Sequence, residues 1–139
     1  MIFQDMIVMD TVKTLMSWRQ VAVDSQLIPV SVDRLCRHFS QTYKLSDEQV
    51  EFMVRSAARS LQTSFDSVDM ILAGGDSDAA LARVAHNLKG QLLNMGETGW
   101  ADIARMVEFA AKAKEGHDYA PPLQAIREAM SAIMEYCSS

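Results

Sequence analysis

Hydrophobic residues recur along most of the chain at intervals of three and four positions, which is the spacing of one buried face of an α-helix. The longest regular run follows Ser46-Asp47-Glu48-Gln49, where Ser46 and Gln49 occupy the two positions of a capping box. The pattern predicts a helix over roughly residues 46–72, which suits the first long helix of a bundle. Its apolar positions are Val50, Met53, Val54, Ala57, Leu61, Phe65, Val68 and Leu72.

A second long helix is predicted over residues 81–96. Gly74-Gly75 can end the preceding helix, and Asp76 or Ser77 can cap this one. Gly96 suits the position just after the last turn, because glycine adopts a positive φ without strain. One face of this helix is apolar and should face the core, with Leu81, Val84, Leu88, Leu92 and Met95.

Shorter amphipathic patterns predict further helices, so the predicted fold class is all-α. Ser31 can cap a short helix that ends near Tyr43. Thr98 can cap another helix, and Pro121-Pro122 suits the first turn of the last one. Because the last four helices are long and their loops are short, we expect an antiparallel up-down-up-down four-helix bundle over residues 45–139.

Residues 1–44 form an extra N-terminal helical segment in this interpretation. Apolar side chains stand at helical spacing near the start of the chain, although the stripe is irregular: Ile2, Met6, Met9, Val12 or Lys13, and Met16. We favour a helical extension that covers one end of the bundle. A docking or dimerising element that mediates contacts with a partner is the alternative.

The composition agrees with a single helical domain and excludes several functions. The chain has 139 residues, only 6 glycines and 3 prolines, and a net charge of −5. An acidic chain has no basic stripe to neutralise phosphates, so nucleic acid is not expected as a partner. No apolar run approaches the ~18 residues of a membrane span and no basic signal peptide opens the sequence, so we expect a cytoplasmic protein without membrane insertion. Cys36 and Cys137 stand on apolar stripes and are interpreted as buried hydrophobes.

His86 lies opposite the apolar stripe of its helix and should therefore face solvent. An exposed neutral imidazole is the side chain best able to accept and return a phosphoryl group near neutral pH. Lys89, one turn further on, can neutralise charge on the phosphoryl oxygens. Gly90 costs ~1 kcal/mol of helix propensity relative to alanine, but it lets the backbone of a partner approach this turn closely.

These residues belong to a longer pattern. Ala85-His86-Asn87-Leu88-Lys89-Gly90, with Gly96 ten residues after the histidine, resembles the signature of histidine phosphotransfer (HPt) domains, the helical carriers of two-component phosphorelays. The resemblance covers roughly residues 45–139 and continues through Trp100, Ile103, Val107 and the acidic Glu108. Gln91 departs from the pattern, because the family usually has serine or another small residue there.

The resemblance implies a phosphoryl carrier. His86 would accept the group from a receiver-domain aspartate, or from a sensor or hybrid histidine kinase, and pass it to a response regulator. The receiver domain would supply Mg²⁺ and most of the transition-state stabilisation, so this chain would need no cofactor or metal of its own. We expect the docking face to consist of residues close to His86 on the helix, namely Ala79, Ala82, Arg83, Gly90 and Leu93.

An enzyme is not expected, because the sequence has no glycine-rich phosphate loop, no nucleophile elbow and no Cys-His pairing. A complete histidine kinase is excluded, since no nucleotide-binding domain follows and Asn87 stands where kinase histidine boxes have an acidic residue. His38 is interpreted as a solvated surface residue and His117 as a loop residue. The competing hypothesis is a helical protein-interaction module whose histidine is never phosphorylated, and which binds through residues 1–30 or the same apolar patch.

Overall fold

The structure of the protein is a computed structural model that describes residues 15, 17–74 and 78–138, without the side chains of the last two. Every regular element in those residues is an α-helix and no strand occurs among them, so the all-α prediction is confirmed for this part of the chain. Its seven helices are α1 (Trp18–Asp24), α2 (Val32–Tyr43), α3 (Asp47–Gly74), α4 (Asp78–Asn94), α5 (Thr98–Lys112), α6 (Ala120–Ala129) and α7 (Ser131–Ser138).

The predicted helix starts at Ser31 and Ser46 are confirmed. The Ser31 hydroxyl accepts a hydrogen bond of 3.1 Å from the backbone N–H of Arg34. At the start of α3, the Gln49 N–H donates to the Ser46 hydroxyl at 3.3 Å, and the Ser46 N–H donates to Gln49 Oε1 at 2.9 Å. These two reciprocal bonds form the capping box that the sequence indicates.

Gly96 ends α4 as predicted, with a φ of +78°. Its N–H donates to the carbonyl oxygen of Leu93 at 3.0 Å, and the N–H of Glu97 donates to that of Leu92 at 2.9 Å. This pair of bonds is a Schellman motif, which satisfies carbonyl groups that the helix end leaves free. A Cβ added at Gly96 would also lie 2.5 Å from the ring of His38, so the position favours glycine for two reasons.

Two helix boundaries differ from the prediction. The single last helix that we expected is divided into α6 and α7 by a turn at Met130, where φ and ψ are −97° and 3°. Apolar spacing does not indicate this turn, because Ile126 before it, Met130 at it and Ile133 after it are all fully buried. Thr98 is the first residue of α5 instead of its cap, and Glu97 holds the cap position without a side-chain hydrogen bond to the helix.

Some predictions concern positions outside the described residues. These positions are Ile2, Met6, Met9, Val12, Lys13, Met16, Gly75, Asp76 and Ser77, together with the side chain of Cys137. The expected cap of α4 and the start of the N-terminal stripe therefore stay predictions.

From α3 onward, each helix packs on the helix before it in the sequence, and the last helix, α7, also packs on α3. α3 packs on α4, α4 on α5 and α5 on α6, while α7 packs on α3. Their buried side chains belong to one hydrophobic cluster, which includes the fully buried Leu61, Phe65, Leu88 and Ile103. The contact between α4 and α5 is the most extensive. His86 is therefore carried by the most closely associated pair of helices.

Residues before α3 contribute to the same core. Val30 and Leu35 are buried in the hydrophobic cluster, and the Val30 N–H donates to the carbonyl oxygen of Ala129 at 2.9 Å. α1 packs on α5, and the indole N–H of Trp100 donates to the carbonyl oxygen of Ile28 at 3.0 Å. The described part of the N-terminal segment thus packs against the later helices, while its role as a cover for one end of the bundle and a docking role for residues 1–30 stay predictions.

Candidate functional site

His86 lies on the outer face of α4, opposite the side chains that this helix buries. Its imidazole is 60 % exposed, whereas Leu88 and Leu92 are fully buried. Gly90 follows one turn later, and a Cβ built there would have no heavy atom within 4 Å. The surface beside the imidazole is therefore open to a second protein.

Helix α5 places a buried carboxylate against the imidazole. Nδ1 of His86 lies 2.8 Å from Oε2 of Glu108, whose side chain is only 2 % exposed. Lys89 donates to Oε1 of the same carboxylate at 3.0 Å, and Nζ of Lys112 lies 3.0 Å from Oε2. One carboxylate thus links three side chains from two helices.

Glu108 is ionised throughout the physiological pH range. Burial by itself would raise its pKa, but the hydrogen bonds from Lys89, Lys112 and His86 together outweigh burial and lower the pKa of Glu108 from 4.5 to about 2. An ionised carboxylate only accepts hydrogen bonds, so Nδ1 of His86 carries a hydrogen. In the neutral imidazole the lone pair is then on Nε2, on the side of the ring away from Glu108.

The cluster carries more positive than negative charge. Glu108 contributes one negative charge and the two lysines contribute two positive charges, so one net positive charge remains when His86 is neutral. Lys89 is 24 % exposed, while Lys112 is 60 % exposed and as open to solvent as the imidazole. Ammonium groups in this arrangement attract an anionic phosphoryl group.

The residues predicted to form a docking face do not all reach the surface. Ala79 and Arg83 are exposed, Leu93 is 49 % exposed, and Gly90 is half-buried with open space where a side chain would be. Ala82 is only 5 % exposed and belongs to the hydrophobic cluster. Its side chain therefore offers almost no surface to a partner, and a docking surface here would use the other four residues.

Lys112 had no predicted role, and Glu108 was predicted only as an acidic position of the family pattern. Glu108 follows Val107 and stands four residues after Ala104, inside the apolar stripe of α5, where a charged residue is costly unless it is paired. That mismatch was the available signal for a buried ion pair. The mismatch did not identify the residues that pair with Glu108, because these depend on how α4 and α5 are aligned in the fold.

The structure also describes the two remaining histidines, His38 and His117, and the surroundings of Gln91. His38 is half-buried and not a solvated surface residue, because its Nε2 lies 3.1 Å from the carbonyl oxygen of Asn94 at the end of α4. His117 lies in the loop between α5 and α6, as predicted. The side chain of Gln91 donates to the Ser64 hydroxyl at 2.8 Å, so this departure from the family pattern connects α4 to α3.

No metal or redox site emerges from the described part of the chain. Burial, followed by the charge of Asp33, raises the pKa of the Cys36 thiol, which keeps this half-buried cysteine protonated. In residues 15, 17–74 and 78–138, no three His, Cys, Asp or Glu side chains are grouped so that they could hold a metal ion. None of the helices described above has the length and hydrophobicity that crossing a membrane requires.

Comparison with known proteins does not assign the chain to a family. No family model, no curated protein and no solved structure matched it. A proposed function therefore rests on the geometry around His86 and on the resemblance of the surrounding residues to the HPt signature.

Proposed function

We propose that the protein is a histidine phosphotransfer carrier, in which His86 accepts a phosphoryl group from a receiver-domain aspartate, or from a histidine kinase, and passes it to a response regulator. The observation that carries this proposal is the exposed imidazole whose Nδ1 is bound to the buried, ionised Glu108. This hydrogen bond fixes the ring and leaves Nε2 as the nucleophile. The resemblance to the HPt signature supports the same function.

This geometry supports a direct transfer between a receiver-domain aspartate and His86. Nε2 of His86 attacks phosphorus, the P–N bond forms, and the P–O bond to the donor carboxylate breaks with its electron pair on the departing oxygen. The ring gains a positive charge, which Glu108 stabilises through the Nδ1 hydrogen bond. When the group moves on to the aspartate of the next receiver, the P–N bond breaks and the imidazole becomes neutral again.

The chain would act as a carrier and not as an enzyme, since the partner would complete the transfer chemistry. Mg²⁺ would be bound by the receiver domain and would neutralise the phosphoryl oxygens there. The proposed arrangement is the antiparallel up-down-up-down four-helix bundle, which the packing of α3 on α4, α4 on α5 and α7 on α3 supports. The proposed location is the cytoplasm.

Phosphorylated receiver domains from the same organism test this proposal. The full chain, His86→Gln and His117→Gln are incubated with each donor, and the label that each protein retains is measured. We expect label on the wild type that is acid-labile and base-stable, as phosphohistidine is, and none on His86→Gln. His117→Gln is the matched control, because it removes a histidine outside the cluster, and it should accept label like the wild type.

Absence of label from every receiver, with the helical circular dichroism spectrum intact, would contradict the proposal. It would favour the helical interaction module, which would bind through residues 1–30 or through the apolar patch beside His86, where Leu93 is 49 % exposed. Capture of a partner that is unchanged by His86→Gln would support that alternative.

A further inference from the structure

We propose that Lys112 is a second residue that binds the transferred phosphoryl group, and that its ammonium group leaves Glu108 to do so once His86 is phosphorylated. The inference rests on the proposed function and extends it to a residue outside the sequence signature. It also gives Lys89 a different task from the one that the sequence predicts.

Lys112 is close enough to the imidazole to reach a phosphoryl group bound to it. Nζ of Lys112 and Nδ1 of His86 contact the same oxygen, Oε2 of Glu108, at 3.0 and 2.8 Å. The separation of the two nitrogens therefore cannot exceed the sum of these distances. The four-carbon stem of lysine is flexible, so rotation about its side-chain bonds can move the ammonium from Oε2 of Glu108 toward Nε2 of the ring.

The hydrogen bonds of Glu108 make Lys112 easier to release than Lys89. Oε2 is contacted by both His86 and Lys112, whereas Oε1 is contacted by Lys89. If Lys112 leaves, each carboxylate oxygen keeps one donor. If Lys89 leaves, Oε1 of a buried carboxylate loses its donor in this cluster, which is unfavourable in the protein interior.

The exposed fractions of the two lysine side chains also indicate that Lys112 is the one that is released. Lys112 is 60 % exposed, like the imidazole, whereas Lys89 is 24 % exposed. The phosphoryl group arrives from solvent on the open side of the ring, where Lys112 can meet its oxygens as a point cation with three donors. Lys89 then keeps Glu108 in place, and Lys112 neutralises the phosphoryl group.

Phosphoramidate, a small donor that phosphorylates histidine without a partner protein, tests this inference. The full chain is compared with Lys112→Met, Lys112→Arg and Lys114→Met, and ³¹P NMR follows the rate of phosphohistidine formation and the pH midpoint of its signal. Lys114→Met is the matched control, because it removes the same charge from an exposed position two residues away. Lys112→Gln provides a second neutral variant if Lys112→Met loses helicity.

We expect Lys112→Met to slow phosphorylation about threefold or more and to raise the pH midpoint by about half a unit, because a nearby cation favours the more highly charged phosphoryl group. Lys112→Arg and Lys114→Met should stay close to the wild type. A purely structural role for Lys112 would leave the ³¹P midpoint unchanged.

Equal midpoints in the wild type and Lys112→Met would overturn the inference. So would failure of phosphoramidate to label His86 in the wild-type protein. No receiver takes part in this experiment, so its result is independent of the test of the proposed function. The proposed function fails only if receivers do not transfer label to the wild type.

Discussion

Glu108 governs the chemistry of His86 through the contacts of one buried carboxylate. It places the hydrogen of the imidazole on Nδ1, and two lysines balance its charge. A carboxylate at 2 % exposure without such donors would carry a large desolvation penalty. The same residue thus fixes the tautomer of His86 and holds α4 against α5.

Glu108→Gln should destabilise the protein at neutral pH and have little effect near pH 2. The pKa of Glu108 falls from 4.5 to about 2 on folding. Its ionised form therefore stabilises the folded state by about 3 kcal/mol above pH 4.5, and this contribution is lost as the pH falls toward 2. Urea unfolding of both proteins across this pH range measures the difference.

Glu51→Gln is the matched control for that experiment. Glu51 is 53 % exposed and pairs with Arg55 one turn along α3. An exposed pair of this kind contributes at most about 1 kcal/mol, so its loss should leave the pH profile nearly unchanged. If the difference in stability between Glu108→Gln and the wild type were the same at pH 7 and pH 2, the linkage through Glu108 would be wrong.

At the scale of the helix, α4 contains one glycine that its backbone does not require, Gly90, and is followed by one that its end does require, Gly96. Gly96 has a φ of +78°, which side chains rarely adopt. Gly90 lies inside the helix, and a Cβ there would have nothing within 4 Å. Packing therefore does not explain Gly90, whereas the proposed approach of a partner to His86 would.

Gly90→Leu should stabilise the protein and slow phosphotransfer. Leucine has a better helix propensity by up to about 1 kcal/mol, and the space beside residue 90 is open. The same side chain would obstruct a receiver domain at the turn next to His86. Thermal unfolding measures the first effect, and the rate of transfer from a phosphorylated receiver measures the second.

Two further measurements separate the effect of Gly90→Leu on partner access from its effect on stability. Labelling of Gly90→Leu by phosphoramidate should stay close to the wild type, since a small donor needs less room. Gly96→Ala should lose stability, because of its positive φ and the nearby ring of His38. A bulky residue at Ala82, which is 5 % exposed, would disturb the core and could not separate the two effects. An unchanged transfer rate in Gly90→Leu would remove this turn from the docking surface.

The helix starts at Ser31 and Ser46 and the helix end at Gly96 were predictable, because each depends on residues within one turn of each other. The hydrogen bonds between Ser46 and Gln49 and the positive φ of Gly96 are local consequences of residue type. The turn at Met130 was not predictable, because the apolar spacing continues through it. Its two sides are buried in one core, so the pattern of burial is the same with or without the turn.

The site itself was predictable in part. The spacing of α4 identifies the outward face that carries His86, since that depends on one helix alone. The contact of His86 with Glu108 joins residues 22 positions apart, and the contact of His38 with Asn94 joins residues 56 positions apart. Such pairs depend on the relative register of two helices, which no local pattern specifies.

At the scale of the whole molecule, two long-range contacts tie the N-terminal segment to the start of α5. Arg34 donates to Oε1 of Glu97 at 2.8 Å, and Trp100 donates to the carbonyl oxygen of Ile28 at 3.0 Å. Glu97 is only 4 % exposed, so its charge depends on Arg34 for compensation. The start of α5 is therefore where the N-terminal segment meets the helix pair that carries the site.

Arg34→Met should destabilise the protein by about 2 kcal/mol at pH 8 and by less at pH 4. Burial raises the pKa of Glu97, while Arg34 and His38 lower it in part. Because the folded pKa exceeds the unfolded one, the stability that this group contributes is present below the unfolded pKa and lost as the pH rises through the folded pKa. Without Arg34 that loss is larger, and chemical unfolding at the two pH values measures it.

Arg37→Met serves as the control for Arg34→Met, because it removes an exposed arginine from the same helix. Adding Glu97→Gln to Arg34→Met should recover part of the lost stability at pH 8, since no buried charge then remains unpaired. An equal loss for Arg34→Met at both pH values would contradict the role given to Glu97.

The residues of the candidate site are close together in the sequence, and this affects how early in folding the site can form. The contacts of Glu108 with His86 and Lys89 join residues 22 and 19 positions apart, whereas the contacts of the N-terminal segment with α5 join residues 63 and 72 positions apart. Closing a short loop costs less chain entropy than closing a long one. A chain whose N-terminal helices have not yet docked can therefore already bring the imidazole, the carboxylate and both lysines together.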